Sequence, residues 1–387
     1  MSGPERLTVV VISAWYPTPE QPMNGVFVRE HARAAALHHL VAVVADGGAR
    51  DDSRPYVLSE AEDEELRTLR LAHRISRIPM ATGLAHARGV LAGLRRLRRE
   101  GLRPDLVHAH VHQVGLAALI AGRRYRVPVV VSEHSSHFSL GTLSPSGRRL
   151  ARLMFRAADL VCPVSEDLRR RIEDRGVRAR FQVVPNPVDT VAFGGAPPPG
   201  GPPTALFVGG LQPIKRVDLL LRALARVRHP DLRLEIVGDG PARSDLEGLA
   251  HELGLGQAVR FRGYVSKEGV AERMRAASFL VLPSMIETFG LALAEALAVG
   301  RPVVASRTGA IPEIVDERNG ILVPPGDEEA LAGAIERMVD ERSRFDWRAL
   351  SSAAGDRFGL AAVGRRWDEI YRTLVHSSGR MPPASAS

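Results

Sequence analysis

Apolar, β-branched runs of four to six residues recur along the chain. Each closes on Gly, Pro or a small polar residue, and each is followed by a stretch with helical spacing. They fall at 8–13, 40–45, 106–110, 129–133, 160–164 and 181–185, and then at 205–209, 233–237, 259–263, 279–283, 302–305 and 320–323. Strands alternating with helices predict parallel sheets covered on both faces, the α/β class. Twelve strands are too many for one ordinary open sheet. The pattern therefore predicts two doubly wound, Rossmann-like domains.

One interior segment breaks the alternation. Gly194-Gly195-Ala196-Pro197-Pro198-Pro199-Gly200-Gly201-Pro202-Pro203 is the strong Gly/Pro cluster of the chain and reads as a linker between domains at 1–193 and 204–360. Residues 361–376 carry Trp367, Ile370, Tyr371 and Leu374 at packing spacing, and predict a helix that crosses back to the first domain. The small, polar, Pro-containing stretch 377–387 reads as a disordered tail.

Composition changes this picture little. A chain of 387 residues with 45% hydrophobic and 25% charged content is ordinary for a globular protein of two domains. The single cysteine, Cys162, lies in an apolar run and reads as a packing residue, which fits a reducing, cytoplasmic setting. The first apolar run is too short for a signal-peptide core or a membrane span. The net charge of +8 is carried by arginine, much of it before residue 183. Basic helices are predicted over 84–103, with Leu84, Val90, Leu91, Leu94 and Leu97 near one side, and over 147–157. Such faces could rest peripherally on the anionic inner face of a membrane; the plainer reading is a solvated surface. With 5% aromatic residues and no recognition motif, a nucleic-acid partner is not expected.

Ligands of doubly wound sheets bind at the C-terminal ends of the strands. Those ends carry Trp15 and Gly25, His108 and His110, Glu133 and His134, Ser165 and Glu166, Gly209 and Gly210, Gly238 and Gly240, Gly263, and Ser284 and Glu287. The last strand end continues as Glu287-Thr288-Phe289-Gly290-Leu291-Ala292-Leu293-Ala294-Glu295, two acids in a Glu-x7-Glu pattern at a helix start. If the span is helical, the acids stand about 12 Å apart, near the length of a nucleotide sugar from ribose to hexose. The helix N-terminus between them suits a diphosphate. A first-turn cap and a solvated helix face are the plainer readings of the same two residues. Lys215, one of two lysines in an arginine-rich chain, follows the Gly209-Gly210 bend by about a turn, where an ammonium can neutralise a diphosphate.

These motifs in this order resemble the retaining glycosyltransferases of family four (glycosyl transferases group 1). The resemblance runs from Val10 to about Met338. It is strongest in Ala205–Gly210 with Lys215-Arg216, in Ile236-Val237-Gly238-Asp239-Gly240-Pro241, in the Glu287–Glu295 segment, in Gly300–Ala305 with Gly309–Glu313, and in Val184-Pro185-Asn186-Pro187-Val188-Asp189. It implies the GT-B fold, two Rossmann-like domains facing each other across a deep cleft, and transfer of a hexosyl-type group from a nucleoside-diphosphate sugar, by analogy UDP. The acceptor hydroxyl would sit on a glycan, a lipid-linked molecule or a small molecule. The implied roles are Glu287 on the transferred sugar, Glu295 on the ribose, Lys215 on the leaving diphosphate and His134 beside donor sugar and acceptor. Gly209, Gly210, Gly238, Gly263, Tyr264, Thr288, Phe289 and Gly290 would line the donor site. Gly25, Asn24 and His110 would belong to the loops near diphosphate and acceptor. Where relatives often have an Arg, this chain has Gly210, so Arg216 or the Thr288–Gly290 amides are expected to share the phosphate task.

No metal or other cofactor is expected, the nucleotide sugar being a co-substrate. His108, His110 and His112 alternate along a strand without a carboxylate or thiolate at useful spacing. The acidic run Glu62-Asp63-Glu64-Glu65 falls in what reads as a loop-like, strand-free region. Two other classes stay open from residues alone, namely a nucleotide-sugar 2-epimerase on the same fold and a non-catalytic basic binder of membrane surfaces.

Overall fold

Most of the β-branched runs are strands because their side chains are buried on both faces, as central parallel strands require. The computed structural model describes residues 5–378 except 19–20, 51–55, 62–64 and 75–78. The chain divides into two compact units, Met1–Pro187 with Leu360–Ser387, and Val188–Gly359.

The first unit contains strands β1 (Thr8–Ser13), β2 (Leu40–Arg50), β3 (Tyr56–Glu60), β4 (Arg67–Arg74), β5 (Leu106–His110), β6 (Val129–Glu133) and β7 (Leu160–Pro163). Its helices are α1 (Val26–Ala36), α2 (Pro79–Arg99), α3 (Gly115–Tyr125), α4 (His137–Leu140), α5 (Pro145–Ala157) and α6 (Glu166–Asp174). The sheet order is β3-β4-β2-β1-β5-β6-β7. All neighbours are parallel apart from β3, which runs antiparallel on β4. The order reverses between β1 and β5, which opens a crevice at their C-terminal ends.

The second unit holds β8 (Thr204–Val208), β9 (Arg233–Val237), β10 (Val259–Gly263), β11 (Phe279–Leu282), β12 (Val303–Ser306) and β13 (Gly320–Val323). Between and after them lie α7 (Val217–Arg226), α8 (Arg243–Glu252), α9 (Lys267–Ala276), α10 (Leu291–Val299), α11 (Ile311–Ile314), α12 (Glu328–Glu341) and α13 (Trp347–Phe358). This parallel sheet has the order β10-β9-β8-β11-β12-β13, with its reversal between β8 and β11. The last helix, α14 (Leu360–Ser377), returns to the first unit. There it packs on α1, with Trp367 and Tyr371 fully buried.

Four expectations need correction. Residues 181–185 form no strand; Phe181 makes an isolated bridge to Val161, and Pro185 and Pro187 lack the N–H a ladder needs. The region around the acidic run is not strand-free, since β3 and β4 flank it; Glu62, Asp63 and Glu64 themselves lie outside the described residues. Leu69 and Leu71 of β4 are buried while Arg67 and Arg70 reach out along their stems, which disguises the strand. The Gly/Pro segment 194–203 is not the boundary, for the second unit already begins at Val188. Buried Arg301 fastens that segment by donating to the carbonyls of Ala196 and Pro197, both at 2.8 Å. Burial pushes this guanidinium down to about 10. Finally, the basic helix starts at Pro79 and stops at Arg99. Gly101, at φ 93°, lets the Leu102 N–H reach back to the Leu97 carbonyl at 2.9 Å. Of the expected tail, residues 379–387 lie outside the described residues, and Ser377 still belongs to the last helix.

Candidate functional site

Beside the reversal point of the second sheet, the ends of β8, β9 and β10 approach each other through glycine. Gly209 donates its N–H to the Val237 carbonyl at 3.0 Å, and Gly238 donates to the Gly263 carbonyl at 2.9 Å. A Cβ on Gly238, whose φ is 133°, would stand 1.9 Å from the Gly209 oxygen. No other residue type fits there. The result is a bare backbone cradle along three adjacent strand ends, with Gly210 exposed beside it.

Across the reversal, the loop after β8 meets the loop after β11. Lys215 Nζ donates to Glu287 Oε1 at 2.5 Å, and the Ser284 hydroxyl donates to the same oxygen at 2.9 Å. The Glu287 side chain is 10% exposed and that of Lys215 25%. Backbone bonds fix both loops: Met285 N–H to the Ile214 carbonyl at 2.9 Å, and Ala310 N–H to the Glu287 carbonyl at 3.1 Å. The resulting arrangement is a carboxylate and an ammonium held together at the edge of a crevice, a polar pair able to meet hydroxyls and phosphate.

Helix α10 starts at this point. Gly290 is its N-cap at φ 92°, and no side chain caps it. Its first turn contains no acid, so its N-terminal dipole is uncompensated there. Glu295 lies half-buried one turn further on, and Phe289 is buried edge-on against Phe358 at 5.7 Å. The helical estimate of the Glu287–Glu295 span is corrected by this geometry. Residues 287–290 are irregular, and only the part from Leu291 rises as a helix.

The neighbouring donor-site candidates have other engagements. The Arg216 guanidinium is paired with Asp218, with Nε–Oδ1 and Nη2–Oδ2 both at 3.0 Å. That pairing holds the guanidinium above its usual range and commits the charge proposed to stand in for an arginine at 210. Tyr264 is 49% exposed just past Gly263, while Thr288 is half-buried.

The reversal point of the first sheet gathers histidines. His110 Nδ1 lies 2.9 Å from His134 Nε2, and the two rings stack at 5.2 Å and 15°. His134 Nδ1 and His31 Nε2 each meet the Asn186 side-chain oxygen at 3.1 Å. His108 joins Tyr371 at 2.7 Å and Ser132 at 2.8 Å, and the Trp367 indole donates to His31 at 3.1 Å. Burial pushes His134 down to about 4 and His108 to about 3, and it holds His31 and His110 well below the usual value. These rings are neutral at pH 7. Among the described residues, no three His, Cys, Asp or Glu side chains gather so as to hold a metal ion.

Glu133 anchors the same strand ends. Its Oε2 accepts from the His112 N–H at 3.0 Å and meets His112 Nδ1 at 2.8 Å, and its Oε1 accepts from the Ser135 N–H at 2.8 Å. Burial alone would raise the carboxyl, but His112 and the backbone donors outweigh it and hold it below the usual range. Between His110 and His112, Val111 adopts φ 67° and ψ 146°. A β-branched residue there carries strain of about 1–3 kcal/mol, held by its N–H bond to the Ser132 carbonyl at 2.8 Å. Gly25, at φ 70°, leaves no room for a Cβ, which would fall 2.3 Å from the Trp15 carbonyl carbon. Asn24 turns its amide to Gln21 at 3.4 Å rather than to the histidines.

The structure thus brings Gly209, Gly238 and Gly263 together, joins Lys215 to Glu287, and joins His110 to His134. His31 and Asn186 are site neighbours that spacing did not single out. His31 sits in α1, and Asn186 lies between two prolines far along the chain.

Comparison with known proteins fits both sheets. The Anabaena protein Alr3699/HepE, solved in complex with UDP, superposes with a TM-score of 0.75 at 20% identity, covering 95% of this chain and 100% of that one. Two doubly wound units of this topology define the fold class as that of the GT-B glycosyltransferases. The model for Glycosyltransferase Family 4 matches residues 25–192, and that for Glycosyl transferases group 1 matches residues 202–341. A D-inositol 3-phosphate glycosyltransferase of Streptomyces griseus is 34% identical over 329 residues, covering 72% of this chain and 70% of its own. A glycogen synthase of Mycobacterium tuberculosis is 28% identical over 379 residues, covering 88% and 91%. The chain belongs to glycosyltransferase family 4, and it is a glycosyltransferase.

Proposed function

We propose that the second unit binds a UDP-sugar and that the enzyme passes its hexosyl group to an acceptor hydroxyl with retention of configuration and without a metal ion. The observation that carries this reading is the Lys215–Glu287–Ser284 cluster at the β8/β11 reversal, beside the uncapped start of α10. Bare glycine backbone at Gly209, Gly238 and Gly263 admits a nucleotide closely. The diphosphate takes the α10 amides and Lys215. Glu295 accepts from the ribose hydroxyls, and Glu287 from the sugar. UDP is favoured because the structural relative from Anabaena was solved with it.

In the transfer step, the acceptor oxygen forms a bond to the anomeric carbon on the face from which the diphosphate oxygen departs. The acceptor proton passes to that leaving oxygen, and Lys215 and the helix start offset the charge that develops. A first test is thermal stabilisation by UDP, GDP and ADP, followed by turnover of UDP-sugars. The reading expects UDP to stabilise most and to be released from its sugar only when an acceptor is added. Stabilisation by another nucleotide alone would overturn the donor assignment. Sugar conversion without an acceptor would point to epimerisation instead.

A further inference from the structure

Three helices of the first unit, α2, α3 and α5, pack side by side, and right-handed crossovers put them on one face of its sheet. Together they carry eleven arginines and no aspartate or glutamate. From residue 106 to residue 158 the only acid is Glu133, which is fully buried. The helices α1 and α14, which pack on each other, do carry acids, including Glu30, Asp368 and Glu369. The two helices hold five arginines against three acids, so the excess of positive charge is greatest on the α2–α3–α5 face.

Within that face α5 differs from an ordinary solvated helix. Its inner side buries Ala151, Met154 and Phe155, and the Phe155 ring lies tilted against Phe138 at 5.7 Å and edge-on to His112 at 6.3 Å. Its outer side presents Leu150 at 43% and Leu153 at 61% exposure, between Arg149 and Arg156. Among the described residues, Arg148, Arg149 and Arg156 have no ion-pair partner. In α6, by contrast, Arg169 is spent on Glu166 and Glu173 and Arg171 on Asp167. Helix α2 buries Val90, Leu94 and Leu97, and its outer side is arginine without leucine past Leu84. Exposed leucines among unpaired arginines suit a surface that is anionic outside and apolar just beneath. A nucleic acid would use the charge but not the leucines.

We propose that the α2–α3–α5 face docks the first unit onto an anionic phospholipid bilayer, with Leu150 and Leu153 entering between the head groups. The binding does not depend on the proposed donor chemistry. The experiment is sedimentation of the full chain with vesicles of phosphatidylcholine, with and without roughly 30 mol% phosphatidylglycerol, at about 0.1 M salt. Binding is expected only to the anionic vesicles. The Leu150→Ser/Leu153→Ser double variant should bind about tenfold more weakly or worse. Loss of two arginine charges in Arg149→Gln/Arg156→Gln should cost roughly 25-fold. Both pairs are surface residues, and unchanged thermal unfolding serves as the folding control. No binding, equal binding to neutral vesicles, full binding by either variant, or tighter binding to duplex RNA than to vesicles would overturn the proposal. Stabilisation by UDP, read on the same preparations, tests the donor site separately: its loss with vesicle binding intact would count against that site alone.

Discussion

Removing Lys215 and removing the charge of Glu287 should have opposite effects on nucleotide binding. The two groups are 2.5 Å apart, with side chains 25% and 10% exposed, and Ser284 adds a second bond to the carboxylate. In Lys215→Ala the carboxylate keeps only the serine among these two partners, in a mostly dry site. Because the lysine is a quarter exposed, the expected loss of stability is about 1–3 kcal/mol, below that for a fully buried pair. If Lys215 also neutralises a diphosphate, UDP loses a charge-assisted bond of about 1.5–3 kcal/mol, or roughly 10- to 150-fold in Kd. Glu287→Gln retains the shape and releases the lysine charge from its partner. UDP should then bind as well as to wild type or more tightly, while sugar transfer falls. Calorimetric titration of UDP at fixed ionic strength, paired with urea unfolding and turnover, reads all three quantities. If Lys215→Ala loses stability but binds UDP within about twofold of wild type, the pair is structural and the diphosphate assignment fails.

Two further outcomes follow from the geometry. Gly238→Ala drives a Cβ onto the Gly209 oxygen at 1.9 Å and should cost about 3 kcal/mol or more in urea unfolding. Gly248→Ala in α8, with nothing within 4 Å of the new Cβ, should be neutral or stabilising by about 0.5–1 kcal/mol; equal effects of the two would refute the cradle. The buried histidines predict acid sensitivity. Their folded-state values lie below the ordinary 6.5, with His134 about 4 and His108 about 3, so their contribution to stability is full above pH 6.5. It should decline as the pH falls from 6.5 towards 4, because the unfolded chain takes up the protons first. The Tm profile over that range should flatten in His108→Gln, and an unchanged slope would show that the drop arises elsewhere.

Strands β1, β5 and β6 coincide with β-branched runs because they are buried along their whole length, which favours apolar residues. Strand β4, between the edge strand β3 and β2, is written differently: Arg67, Arg70 and His73 interrupt its run, because these side chains reach solvent or a polar partner. Residues 181–185 misled in the other direction, as apolar character without free N–H groups does not build a ladder. The passage between the units at residues 187 and 188 has no shift in composition, whereas the conspicuous Gly/Pro segment is pinned by Arg301 within one unit.

Of the candidate site, the sequence showed the glycines that the backbone demands, as at Gly238 and Gly25, and the polar residues that follow strand ends, such as Glu287 and His134. It did not show the partnership of Lys215 with Glu287, because 72 residues separate them and only the neighbouring of β8 and β11 joins them. The same holds for His31 and Asn186, which are 155 residues apart. The commitment of Arg216 to Asp218 is local, but a two-residue spacing does not reveal a pair whose geometry depends on the left-handed turn at Arg216, φ 52°.

Calorimetric titration of UDP into the wild-type chain and into Glu295→Ala tests the donor site most directly. Glu295 is half-buried in the first turns of α10, and its loss removes the proposed acceptor for two ribose hydroxyls. The account predicts saturable binding of UDP by the wild-type chain and at least about a tenfold weaker Kd in the variant, with unfolding little changed. Equal affinity in the two proteins would contradict it.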